Sequence, residues 1–182
     1  MAARLFSFVG GEDGEWSVQW QRALRGDPLA DVTCLHVVAS APPSPGASWT
    51  LRGITSNDRY VQRVENNRLV AAQEGLGRPS ATRASLIPVR KSPAWWALTQ
   101  DERREIVEER SQHIAIGMRY LPAIARRLHH CRDLSEGEPF DFITWFEFAP
   151  EQEPAFDRLL SELRATPEWD YVDREIELRL RR

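Results

Sequence analysis

The chain has 182 residues, 42% of them hydrophobic, and a formal net charge of −3. That length and apolar content support one sizeable core, or two small subdomains sharing one, and the weak acidic balance excludes a broad nucleic-acid footprint. Two widely spaced cysteines, Cys34 and Cys131, make neither a zinc spacing nor a disulfide framework, and no apolar run approaches the ~18 residues of a membrane span.

The opening run from Met1 to Phe6 turns acidic by Glu12 without a long apolar stretch, so no secretory signal is expected. A reducing, cytoplasmic location is the expectation. Leu5 to Val9 reads as a short strand closed by Gly10 and Gly11. Residues 14–25, with Trp16, Val18, Trp20 and Leu24, predict a helix. Val32 to Val38 is an expected strand, residues 41–47 a Pro-rich rigid loop, and Trp49 to Ile54 a further strand. Residues 81–90, which hold Leu86-Ile87-Pro88-Val89, read as extended.

The second half has stronger signals. Residues 99–113 predict a helix, with Thr99 as N-cap and Glu102 completing a capping box. Ile106 and His113, seven positions apart, fall on one face of it. Residues 123–131 place Ile124, Arg126, Leu128 and His130 at period two, a strand with Arg126 on its apolar side. Asp141 to Phe148 is a strong strand, and residues 151–164 form a helix with Phe156, Leu159, Leu160 and Leu163 inward. Val172 to Leu180 closes the chain as an alternating strand, with Ile176, Leu178 and Leu180 inward. The fold class is therefore α+β, helices packed on largely antiparallel sheets. The β-α-β pieces in each half allow two related ferredoxin-like units, residues 1–90 and 91–182, within one compact body. Walker, Gly-x-Gly-x-x-Gly and Gly-x-Ser-x-Gly motifs are absent.

Lys91 is the only lysine beside 23 arginines, and it precedes the adjacent pair Trp95-Trp96. A compact ammonium on a thin stem suits an anionic group at the mouth of an apolar slot, and haem, a flat apolar disc with two carboxylates at one edge, has that shape. Arg126 on an inward strand face needs an anion, because an unpaired buried guanidinium is costly and cannot shed its proton. A salt bridge to a carboxylate such as Glu147, or Arg127 facing inward instead, would answer the same need.

Three blocks carry a resemblance: Trp49-Thr50-Leu51-Arg52-Gly53-Ile54-Thr55-Ser56-Asn57-Asp58-Arg59-Tyr60; Ile87-Pro88-Val89-Arg90-Lys91-Ser92-Pro93-Ala94-Trp95-Trp96; and His113 through Arg126 to Glu147. Together, over roughly residues 49–170, they resemble the chlorite dismutase family in the order of its blocks. The length resembles the short lineage, which has a reduced N-terminal half and forms homodimers. The resemblance implies a dimeric α+β barrel of ferredoxin-like halves with haem b. It makes His113 the proximal iron ligand, Arg126 the distal arginine and Glu168 the carboxylate on the proximal histidine. Lys91 and Tyr60 fall beside the propionates, Trp95 and Trp96 near the haem edge, and Gln73 at the distal glutamine. The implied activity is decomposition of chlorite, a small anionic substrate, to chloride and dioxygen with O–O bond formation. A coprohaem decarboxylase of the same superfamily and a non-catalytic haem-binding protein are the alternatives; the former branch usually lacks the distal arginine.

Overall fold

Alternation along the strands sorts the apolar residues into two cores, one on each face of a single closed sheet. The computed structural model describes residues 4–39 and 46–182, so most of the expected Pro-rich loop lies outside the described residues. The strands are β1 (Leu5–Gly11), β2 (Trp16–Arg25), β3 (Cys34–Ala39), β4 (Trp49–Thr55), β5 (Arg83–Lys91), β6 (Ala125–His130), β7 (Phe142–Phe148) and β8 (Val172–Arg181). They close into a barrel in the order β1-β3-β2-β8-β5-β7-β6-β4, and every neighbouring pair is antiparallel. Phe8, Trp16, Leu86, Ile143, Trp145 and Leu178 fill the interior. With Trp16 edge-on to Trp145 at 5.3 Å, the barrel is a packed core.

The outer face of β5 and β7 is also apolar, because helix α5 (Glu153–Arg164) lies against it. Its Phe156, Leu159, Leu160 and Leu163 pack on Ile87, Val89, Phe146 and Phe148. Burial on both sides is why β5 reads as a continuous apolar run. Four shorter α-helices accompany α5: α1 (Arg63–Ala72), α2 (Pro93–Ala97), α3 (Gln100–Arg104) and α4 (His113–Met118).

Two expected elements differ. Residues 14–25 are not a helix, since Trp16–Arg25 is strand β2. Register shifts between Val18 and Trp20, and between Ala23 and Arg25, break its pairing with β8. The inward phase then moves from Trp16 and Val18 to Ala23, a drift that mimics helical spacing, while Trp20 and Leu24 stay exposed at 37% each. The expected helix 99–113 begins as predicted, with the Thr99–Glu102 capping box formed. It continues from α3 as a π-helix over Glu105–Arg110 and stops there; Gln112 is left-handed (φ 52°), and His113 opens α4.

His129 points into the barrel, edge-on to Phe6 and Phe8. Its Nδ1 lies 3.1 Å from the Ile143 carbonyl and its Nε2 accepts from Arg127 Nε at 3.1 Å. Burial, and then the Arg127 charge, pull its pKa from 6.5 to about 4. Between those values the unfolded chain binds the extra proton, so this stabilisation is complete above pH 6.5 and is lost as pH falls toward 4. Urea unfolding at pH 7, 5.5 and 4.5 is expected to show a loss of up to about 3 kcal/mol from this residue, and the slope should flatten in His129→Gln.

Candidate active site

A cavity of about 1200 Å³, counting its open mouth, lies outside the barrel. Its floor is the outer face of β5, β7 and β6, through Ile87, Val89, Phe142, Phe146 and Leu128. One wall is α4 and α5, the other the loop Asn57–Val61. The lining is mostly apolar, with a few polar groups among it.

On the α4 wall, His113 Nδ1 sits 2.5 Å from Glu168 Oε2, and Nε2 has no partner among the described residues. Glu168 lies in the short 3-10 turn Pro167–Tyr171 and is 6% exposed. Its other oxygen accepts from Lys91 Nζ at 2.8 Å. Burial alone would push this carboxyl up; the charges of Lys91 and His113 more than offset it and hold the group well below the ordinary carboxylate range. The imidazole therefore faces a permanent carboxylate, which makes Nδ1 the proton-bearing nitrogen and frees Nε2 toward the cavity.

Lys91 differs from its sequence expectation. It borders the cavity, yet it is only 5% exposed, and its ammonium is turned onto Glu168 and over the rings of Trp95 (4.6 Å) and Trp169 (5.4 Å). A buried ammonium needs a counter-charge, and Glu168 supplies it. Lys91→Met would strand the carboxylate with His113 alone. The expected cost is about 3–5 kcal/mol in urea unfolding, and Lys91→Met combined with Glu168→Gln should lose less than that single change.

On the floor, Arg126 lines the cavity from the outer face of β6. No carboxylate among the described residues pairs with it, and burial alone lowers its pKa. Arg127, one residue on, faces the barrel with its Cζ 3.6 Å over the Phe6 ring. Glu147 accepts from Gly77 N–H (2.6 Å) and Trp145 Nε1 (2.9 Å), so it is not the partner of Arg126. Gln73 ends α1 and its Nε2 donates to the Arg126 carbonyl at 3.0 Å. It touches the arginine backbone rather than lining the cavity.

On the loop wall, Tyr60 is left-handed (φ 63°) and stands edge-on to Trp95 at 6.0 Å. Tyr60 Oη and Trp95 Nε1 are both buried with no hydrogen-bond partner among the described residues. Burial is the largest influence on the Tyr60 phenol and raises its pKa. Trp96 does not line this cavity: it stacks on Phe142, lies near His130, and donates Nε1 to Asp141 at 3.2 Å. Sequence reasoning missed Thr144, Asn57, Arg59 and Trp169, which also line the cavity. Period two from Phe142 to Phe146 would have marked Thr144; no local pattern marks the others. Trp169 stacks 6.4 Å from His113 and donates Nε1 to Glu175 at 2.9 Å.

An imidazole backed by carboxylate and ammonium thus shares one mostly apolar cavity with a guanidinium that no described carboxylate pairs. Residues 45–180 match the chlorite dismutase family. The chain belongs to the chlorite dismutase family. It is 30% identical over 124 residues to the chlorite dismutase of Ideonella dechloratans, covering 67% of this chain and 41% of that protein. The crystal structure of a dimeric chlorite dismutase from Nitrobacter winogradskyi is 52% identical with a TM-score of 0.90, over 97% of this chain and 99% of that one. The chlorite dismutase of Candidatus Nitrospira defluvii, in complex with imidazole, shares the fold at 19% identity and a TM-score of 0.68, over 100% of this chain and 93% of that one. The chain thus spans less than half the length of its curated chlorite dismutase relative and nearly all of the dimeric one.

Proposed function

We propose that the cavity holds haem b and that the chain decomposes chlorite to chloride and dioxygen, forming the O–O bond between the two chlorite oxygens. The observation that carries this is that one mostly apolar cavity is lined both by His113, whose Nδ1 is held by Glu168, and by Arg126, which no carboxylate among the described residues pairs. The residues fit the group. Among the described residues no cluster of three or more His, Cys, Asp or Glu could hold a bare metal ion; a lone imidazole suits an iron that brings its other ligands with it. Two buried unpartnered donors, Tyr60 Oη and Trp95 Nε1, suit the carboxylates of a haem edge. When bound, haem supplies an iron able to exchange oxygen with chlorite.

The chain's own residues do the rest. His113 Nε2 would hold the iron, and the carboxylate of Glu168 would strengthen that ligand through Nδ1. Lys91 acts through Glu168 rather than on a propionate. Arg126 keeps a fixed positive charge in a mostly apolar pocket, where it acts more strongly than in water. It attracts chlorite and retains the anionic chlorine fragment until dioxygen leaves. No net proton is transferred, so no general acid is required. Gln73 braces the Arg126 backbone, and the outer face of Trp96 serves packing. A homodimer and two ferredoxin-like halves complete this reading, supported respectively by the dimeric relative and by the strand order, in which β4-β1-β3-β2 and β8-β5-β7-β6 repeat one pattern; β5 falls in the second half, so the boundary expected at 90/91 moves to before Arg83. An oxygen-electrode trace with chlorite on haem-loaded protein, recorded with its absorption spectrum, tests it. A normal Soret band without oxygen evolution would leave only the non-catalytic haem-binding reading, and peroxide-dependent loss of propionate carboxyls would mark the decarboxylase.

A further inference from the structure

Helix α4 begins at His113 itself and is only six residues long, too short to hold its first residue rigid unaided. Gln112 occupies the N-cap position in a left-handed conformation and offers no side-chain cap. The free N–H groups of the first turn point instead at Glu108. Ile114 N–H donates to Glu108 Oε2 at 2.7 Å and Ala115 N–H to Oε1 at 3.3 Å. Glu108 sits in the π-helix Glu105–Arg110, a widened turn of the kind that recurs at functional sites. Just beyond it, the buried Ser111 Oγ accepts the Glu168 N–H at 2.9 Å. The segment 108–113 thus grips both members of the imidazole–carboxylate pair, α4 through Glu108 and the Glu168 backbone through Ser111.

We infer that Glu108 is a positioning residue for the axial imidazole: its carboxylate fixes the first turn of α4 and so keeps His113 Nδ1 on Glu168. This rests on the axial role proposed for His113. Glu108 is not among the cavity-lining residues, so it acts only through His113. If the first turn frays, the bond to Glu168 lengthens and the imidazole becomes a weaker ligand.

The test compares Glu108→Ala and Glu108→Gln in the full chain. Haem-loaded protein gives two readouts, the rate of haem transfer to apomyoglobin and the iron reduction potential. Cofactor-free protein gives a third, the ¹⁵N resonances of the His113 ring. Glu108→Ala should speed haem loss by about 10–100-fold, move the potential positive and shift the Nδ1 resonance. Glu108→Gln, which keeps one acceptor, should recover most of each. A lowered Tm with unchanged haem loss, potential and ring resonances would reduce Glu108 to a plain helix cap and overturn the inference, as would no change in any of them. Failure of the parent to take up haem would sink the cofactor reading, while the ring resonances would still decide whether Glu108 holds the pair.

Discussion

His113→Ala is expected to abolish stable haem retention while leaving the barrel folded. His113 lies on the cavity wall outside the barrel core, so its loss removes no interior packing. It does remove the one imidazole on the α4 wall, and it strands Glu168 with Lys91, which remains a neutral pair. Haem affinity should fall by more than the ~10–100-fold that losing a ligand's hydrogen-bond partner costs at a metal site. The purified variant should show a Soret absorbance near background at a Tm close to that of the apo parent. Added imidazole should restore part of the Soret band, because the space vacated faces the cavity. Full haem content without imidazole would overturn the axial assignment.

Arg126→Leu should have the opposite profile: haem retained, turnover lost. The guanidinium carries the fixed positive charge on the cavity floor with no described carboxylate to balance it. Steering of a small anion by such a charge contributes about 10–10³-fold in association, so kcat/KM for chlorite should fall at least ~10-fold. The drop should shrink as salt is raised toward the screening limit. Retention of the chlorine fragment should fail as well, seen as faster bleaching and fewer oxygen molecules per haem before inactivation. The apo variant should be at least as stable as the parent, since a half-buried charge that no described carboxylate pairs is replaced by an apolar side chain. Parent-like kcat/KM and oxygen yield in the variant would end the role assigned to Arg126.

Much of the barrel's second half was legible from the chain alone. Period two in β6 and β8, and the inward stripe of α5, follow directly from what each face buries. β2 was misread because its bulges shift the inward phase, and a phase shift in a strand imitates the spacing of a helix. Helix α1 went unread because Leu69 alone is buried along it, which leaves no apolar stripe to see. In the site, Lys91, His113 and Glu168 each carried a local or family signal. Their mutual contact did not, since 77 and 55 residues separate the partners. The chain alone therefore sets Lys91 at the mouth of a slot, while the fold turns its ammonium inward to the buried carboxylate of Glu168. Glu108 reads locally as a surface helix residue; only the π-helix and the left-handed Gln112 bring its carboxylate onto α4.

The wall strands β5, β6 and β7 serve two solvents at once, an oily barrel interior and a polar-tipped slot. In β6 the pairing sets Arg126 opposite Phe146 and Arg127 opposite Trp145. Slipping that ladder by a single residue would exchange the two guanidiniums, sending Arg126 into the aromatic plug and Arg127 out to the cavity. Strand register in this molecule is therefore a chemical specification as much as an architectural one.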